Sequence, residues 1–267
     1  MFWVNGQPSQ TVSLSDRSFQ YGDGCFTTIL SCHGKLQYWH WHVERMDACL
    51  LLLGIPSPDW SLVASWVEQV VLPADNAGVK IHVSRGEGGR GYSPTQNPEP
   101  KVTITVFDYP SHYIDWKDSG VEIGLCRQRL GLNPLLAGHK HNNRLEQILL
   151  KAEMDAQGYV EGVALDILGH VIETTSANIF WVTNDRLCTP NLDQAGVAGV
   201  ARRRVLSIAQ DLNLPISIDK FSLDDLLSAD EVFITNSILG VAPVTKIAAT
   251  TFSFGNHTRC FQECFTS

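Results

Sequence analysis

The sequence predicts a mixed α/β (α+β) protein of two domains. Three observations carry that expectation. Stretches of strand character, such as "GVKIHVSRG", "KVTITVFDYP" and "GVALDILGHVIETTSANIFWVT", are interspersed with helical ones without strict alternation, which disfavours a doubly wound sheet. The chain has 267 residues, 44% hydrophobic and 18% charged, enough for one large core or two modest ones. Residues 108–119 are mixed and turn-rich, and read as a linker between a smaller domain over 1–107 and a larger one over 120–267.

The elements follow in order. "FWVNGQP" runs apolar residues into Asn5-Gly6, a hairpin signal. After "DRSFQYGDGCFTTIL" comes a second strand–turn–strand pattern, with "HGK" at its turn. In "HVERMDACLLLLG", Val43, Met46, Leu50 and Leu53 fall near helical spacing, and Gly54 stops the helix. A second helix is expected around Asp59 to Val71, closed by Pro73. "GVKIHVSRG" and "KVTITVFDYP" are strands around the glycine-rich loop "GEGGRGYSP". The second half restarts with the strand "GVEIGLCRQ" and a loop carrying Lys140. Apolar residues at 145, 148, 149 and 152 then mark an amphipathic helix ending near Gly158. "GVALDILGHVIETTSANIFWVT" reads as two strands about a Gly-His turn, and "AGVAGVARRRVLSIAQDL" as a loop opening a helix. "DEVFITNSILGVAPVTKI" completes the pattern.

Composition narrows the function classes. A net charge of −8 argues against a general nucleic-acid binder, whose affinity rests on many phosphate-facing cations. It leaves room for a local basic pocket. Seven scattered cysteines with no CxxC pair read as free thiols in a reducing cytoplasm. "MFWVNGQPSQ" lacks the pattern of a signal peptide. The longest apolar run, Ala48 to Leu53, is far short of the ~20 residues of a membrane span. The expectation is a cytoplasmic protein with no membrane partner.

Chemistry centres on "AGHKHNNRLEQ". His139 and His141, like His40 and His42, form an H-x-H pair, but no third ligand at short spacing accompanies either, so no metal site is expected. In an extended segment, both histidines would face away from Lys140. Lys140 follows a small-residue bend, Ala137-Gly138, and precedes Asn142, Asn143 and Arg144 just ahead of a helix. Thirty-three residues later Glu173 stands alone in an apolar strand, where a buried acid needs a partner. A lysine for a Schiff base and an acid for a pyridine nitrogen are what pyridoxal phosphate chemistry requires. Its phosphate wants an arginine and helix N-terminal N–H groups. Arg45 is a candidate cation, and Gly199 to Ala201 a glycine-led helix entry. Arg202 to Arg204 at a helix start oppose its dipole.

Together "DRSFQYGDGCFTT", "HVERM", "RGEGGRGYS", "NPLLAGHKHNNRLEQ", "ETTSANIFW", "TPNLDQAGVAGV" and "ITNSILGVAPV" resemble the aminodeoxychorismate lyases, members of the fold type IV pyridoxal phosphate enzymes. The resemblance spans nearly the whole chain. It implies a two-domain fold with the cofactor in the interdomain cleft, and a homodimer. It implies that Lys140 forms the Schiff base and is the catalytic base, that Glu173 binds the pyridine nitrogen, and that Asn178 lies near the ring or its hydroxyl. Arg45, the backbone of Val200 and Ala201, and Ser237 with Asn236 would hold the phosphate. Arg90 would take a substrate carboxylate, with Tyr92 nearby. The implied reaction converts 4-amino-4-deoxychorismate to 4-aminobenzoate, a folate precursor, and pyruvate. The alternative is a fold type IV aminotransferase acting on D-amino or branched-chain amino acids. D-amino acid enzymes of the fold tend to carry Arg-x-His where this chain has Arg90-Gly91-Tyr92.

Overall fold

The opening Asn-Gly forms a hairpin: β1 (Phe2–Val4) pairs antiparallel with β2 (Gln7–Pro8), with Asn5 and Gly6 both at positive φ. The computed structural model describes residues 1–94 and 99–266. A short helix, α1 (Arg17–Tyr21), is capped by Asp16, whose carboxylate accepts the N–H groups of Ser18 and Phe19. β3 (Gly24–Cys32) and β4 (Lys35–Leu36) meet through His33-Gly34, again at positive φ. α2 (Trp39–Leu53) ends on Gly54 in the left-handed region, and α3 (Trp60–Val70) begins on the cap Asp59. β5 (Ala77–Ser84) and β6 (Lys101–Asp108) complete a six-stranded antiparallel sheet ordered β2-β1-β6-β5-β3-β4. Period-2 alternation sends Ile29, Val79, Ile81 and Val83 into a core with Met46 and Leu50 of α2 and Val63 and Val67 of α3. Each such side chain contributes roughly 1.5–3 kcal/mol on burial. Phe26, Lys80 and His82 are left on the other face.

The chain forms two compact units, one of residues 1–109 with 139–143, the other of 110–138 with 144–267. The stretch expected to be a linker, 108–119, carries a helix, α4 (His112–Ser119), in the second unit, packed on strand β14 (Gly240–Ile247). "HYIDWKDS" lacks an apolar period, so its packing rests on Tyr113 and Trp116 rather than on a stripe legible in sequence.

The rest of the second unit comprises β7 (Val121–Leu130), α5 (Leu145–Ala156), β8 (Gly162–Asp166), β9 (Val171–Thr174), β10 (Asn178–Thr183), β11 (Arg186–Pro190), α6 (Val200–Asp211), β12 (Ile216–Asp219), α7 (Leu223–Leu227), β13 (Glu231–Asn236), β15 (Thr250–Thr251) and α8 (Asn256–Thr266). Its strands form a curled, mixed sheet ordered β12-β11-β10-β13-β14-β7-β8-β9, with β15 on β14. β8, β9, β10 and β13 are buried almost throughout, which is why they read as continuous apolar runs.

Helix α5 departs from its expected orientation. Leu145, Ile148 and Leu149, three of the four residues read as its apolar stripe, are 73%, 59% and 54% exposed. The inward face is Leu150 and Met154, against β7 and β8. Gly162 makes room for Met154: a Cβ there would sit 2.1 Å from its sulfur.

Candidate active site

In the first unit the lysine segment is built onto the start of β3. The Phe26 N–H donates to the Lys140 carbonyl at 3.0 Å, and the Asn142 N–H donates to the Gly24 carbonyl at 3.0 Å. Cys25 and His141 form the bridge between them. This pairing places the Lys140 amine 4.6 Å from the centroid of the Phe26 ring. Side chains lock the register. Asn142 Nδ2 donates to Ser18 Oγ and His82 Nε2, each at 2.8 Å, and Asn143 Nδ2 donates to the Gly22 carbonyl at 3.1 Å. Glycines at 22 and 24 are what this approach requires, because a Cβ would meet Asn143 Oδ1 at 2.4 Å or Asn142 Nδ2 at 2.6 Å.

Between those glycines, Asp23 is held by two buried arginines, with Arg17 Nε at 2.8 Å and Arg85 Nε at 2.7 Å. Burial alone would raise the Asp23 pKa; the hydrogen bonds and charges of Arg85 and Arg17 outweigh it and hold the carboxyl below its ordinary value. Arg17 also donates to the carbonyls of Gly88, Gly91 and Tyr92, tying down the loop that carries Arg90 and Tyr92. Both of those side chains are exposed, and the Tyr92 ring packs edge-on against Tyr21.

Arg45 reaches β3 one residue beyond Phe26. Its Nη2 donates to Thr27 Oγ1 at 2.6 Å, and Thr27 Oγ1 lies 2.6 Å from His42 Nδ1. Burial lowers the Arg45 pKa to about 10, which still leaves it charged at neutral pH. Its Nε is buried with no hydrogen-bond partner among the described residues. Burial, then the charges of Arg45 and Lys140, push the His42 pKa well below the ordinary histidine value, so this ring is neutral. The His82 pKa is lowered to about 4, chiefly by burial and next by the Lys80 charge.

In the second unit the candidate residues gather on the loop before α6. Glu173 is buried in β9; its Oε2 accepts the Val197 N–H at 2.9 Å and Oε1 accepts from Gln147 at 3.4 Å. Asn178, at the start of β10, donates through Nδ2 to the carbonyl of the same Val197 at 2.8 Å. Glu161 holds the turn between Glu173 and Asn178, accepting from Thr175 Oγ1 and from the Ser176 N–H and hydroxyl. Gly199 caps α6 with no side-chain hydrogen bond, and a Cβ there would lie 2.2 Å from Asn178 Oδ1. The first-turn N–H groups of Val200 and Ala201 therefore point from an uncapped, positively polarised helix end. One strand over, Asn236 Oδ1 accepts the N–H groups of Ile238 and Leu239 and shapes the turn that carries Ser237. Of the arginines that follow, Arg202 donates to the Pro190 carbonyl, Arg204 to the Cys264 carbonyl, and Arg203 is exposed.

Thus Lys140 and Arg45 converge on adjacent residues of β3, while Glu173, Asn178 and the Val200–Ala201 helix start converge on one loop. Sequence reasoning did not single out Phe26, Thr27, His82 or Val197. Phe26 and Thr27 stand in the "GDGCFTT" block, but nothing local marks His82 or Val197.

The class IV aminotransferase family model matches residues 24–247. The chain belongs to this family. It is 55% identical over 249 residues to the aminodeoxychorismate lyase of Vibrio harveyi, covering 93% of this chain and 92% of that protein. The crystal structure of the Pseudomonas aeruginosa 4-amino-4-deoxychorismate lyase superposes with a TM-score of 0.92 at 35% identity, covering 98% of this chain and 97% of that one. The D-alanine aminotransferase of Listeria monocytogenes is 28% identical over 243 residues, covering 89% of this chain and 82% of that protein. Within the class IV aminotransferases, the similarity therefore runs to the lyase branch.

Proposed function

We propose that this protein is a pyridoxal phosphate-dependent lyase that converts 4-amino-4-deoxychorismate to 4-aminobenzoate and pyruvate, serving folate biosynthesis. The 55% identity to a lyase across nearly the whole chain, against 28% to a D-alanine aminotransferase, is the observation that carries the choice of reaction. The chain's own geometry fits the cofactor. Arg45 Nε is a buried donor with no hydrogen-bond partner among the described residues, Gly199 leaves the start of α6 clear, and Glu173 is a buried acid in an apolar strand.

When bound, pyridoxal phosphate supplies an electron sink for negative charge on the carbon that bears the substrate's amine. Lys140 would hold the cofactor, and its amine would be the base for the proton on that carbon. Pairing with β3 fixes where this nitrogen acts. Glu173 would face the pyridine nitrogen, its orientation set by the Val197 N–H. Arg45, the N–H groups of Val200 and Ala201, and Ser237 with Asn236 would hold the phosphate, and Asn178 would lie near the ring. Arg90 takes a substrate carboxylate, with Tyr92 beside it. The overall change would be loss of the enolpyruvyl group from the neighbouring carbon, which takes up a proton to leave as pyruvate, with aromatisation of the ring as the driving force.

The working form is a cytoplasmic homodimer. The exposed Leu145, Ile148 and Leu149 face suits coverage by a second copy. No described helix is long and apolar enough to cross a membrane.

The decisive test is the purified, cofactor-loaded protein on aminodeoxychorismate. Equal amounts of 4-aminobenzoate and pyruvate are expected; a yellow protein that releases no pyruvate but transaminates D-alanine would select the aminotransferase. Lys140→Ala abolishes turnover and the visible cofactor band together, whereas His139→Ala and His141→Ala retain the band.

A further inference from the structure

Two lysine amines lie over the Phe26 ring, and the function proposed above uses only one. Lys80 on β5 stands diagonal to Phe26 across the β3–β5 pair, on the same face of the sheet. Its Nζ lies 4.6 Å from the ring centroid, the same distance as the Lys140 amine. The two nitrogens are therefore no further apart than twice that distance. Most exposed lysines are simply solvated. This one is distinguished by its place. Its ammonium lies against the ring that seats the reactive amine, and no carboxylate pairs with it among the described residues. The flanking His82 is held neutral, so no second cation or anion from that position offsets it. Cation–π attraction at an exposed ring is worth only ~0.5–1 kcal/mol. With Lys140 engaged as an amine rather than a cation, the Lys80 ammonium supplies the positive potential at this ring, and an anion relieves it.

We propose that Lys80 binds one of the substrate's two carboxylates and so orients the amine-bearing carbon toward Lys140. This rests on the lyase reading, because that substrate carries one carboxylate on its ring and one on its enolpyruvyl group. Arg90, on the exposed loop anchored by Arg17, takes the other. Lys80 is thus a specificity-determining residue. A substrate with a single carboxylate cannot use both cations.

The test uses cofactor-loaded Lys80→Met, which keeps the aliphatic stem and removes the charge, with Lys80→Arg as the conservative rescue. Loss of a charge-assisted hydrogen bond predicts a KM raised ~10–100-fold with kcat within about threefold. Lys80→Arg recovers most of the loss. Calorimetric titration with 4-aminobenzoate and with pyruvate, the two halves of the substrate, gives a readout apart from turnover. Weakening of either half by about tenfold supports the inference and identifies the carboxylate concerned. Wild-type KM together with unchanged binding of both halves in Lys80→Met would overturn it and leave the lyase reading intact. Absence of pyruvate release by the cofactor-loaded wild type would overturn the lyase reading and this inference with it.

Discussion

His82 shows how one residue can govern another 58 positions along the chain. Its Nε2 lies 2.8 Å from Asn142 Nδ2 and 3.0 Å from Ser18 Oγ, so it serves both as an acceptor and must be unprotonated there. Asn142 in turn shares the extended segment that places Lys140 on β3. Replacing His82 by Phe fills the space but strands the Asn142 donor, at a cost of roughly 1–3 kcal/mol. His82→Phe is expected to lower the urea midpoint and to speed amide exchange in residues 139–143 about tenfold; His82→Gln, which offers a side-chain oxygen, restores both. Unchanged exchange in that segment would show that β3 pairing alone fixes it. The sequence singles out Lys140 and Glu173 because each is locally anomalous, a lysine after a small-residue bend and an acid in an apolar strand. His82 carries no such mark. Its role depends on the β3–β5 register and on the chain's return at 139–143, which are relations through space.

Among the elements, hairpins and capped helices were legible because their chemistry is local. Asn5-Gly6 and His33-Gly34 turn the chain, Asp59 starts α3 and Gly54 ends α2. α4 was not, since an eight-residue polar helix anchored by Tyr113 and Trp116 has no apolar period to read. For α5 the period was legible but its direction was not. Periodicity says that apolar residues share a face, not what covers it. The face of Leu145, Ile148 and Leu149 is open on the single chain while Leu150 and Met154 fill the core. Coverage by a second copy makes a specific prediction. For the proposed homodimer, Ile148→Glu is expected to shift sedimentation toward the monomer, with little loss of monomer stability because the residue is 59% exposed. A variant that stays dimeric would place the interface elsewhere.

For the whole molecule, acid should act unevenly. His42, His82 and His139 have lowered pKa values and belong to the first unit, and burial is the leading cause for each. In the second unit, the carboxylates Glu153 and Asp225 are lowered instead: hydrogen bonds from the Arg127 and Gln128 backbones outweigh burial at the first, and Ser222 lowers the second. Asp23 and Glu87 of the first unit are lowered too, so it is the histidines that set the first unit apart. An unfolded histidine takes a proton near pH 6.5, whereas folded His82 resists until about 4. Over that window the unfolded state binds more protons, so the contribution of the neutral rings is full above pH 6.5 and is lost as pH falls toward 4. For His82 the loss reaches about 3 kcal/mol. Lowered carboxylates keep their contribution until pH drops below their unfolded values near 4. Between pH 6.5 and 4.5 the first unit therefore weakens while the second holds. Trp3, Trp39, Trp41, Trp60 and Trp66 lie in the first unit and only Trp116 and Trp181 in the second, so tryptophan fluorescence reports mainly on the first. In urea titrations of the cofactor-free protein, the fluorescence midpoint should fall away from the far-ultraviolet dichroism midpoint as pH drops from 7.5 to 5, and His82→Phe should flatten part of that fall. Midpoints that move together would mean that the histidines are not what couples acid to folding.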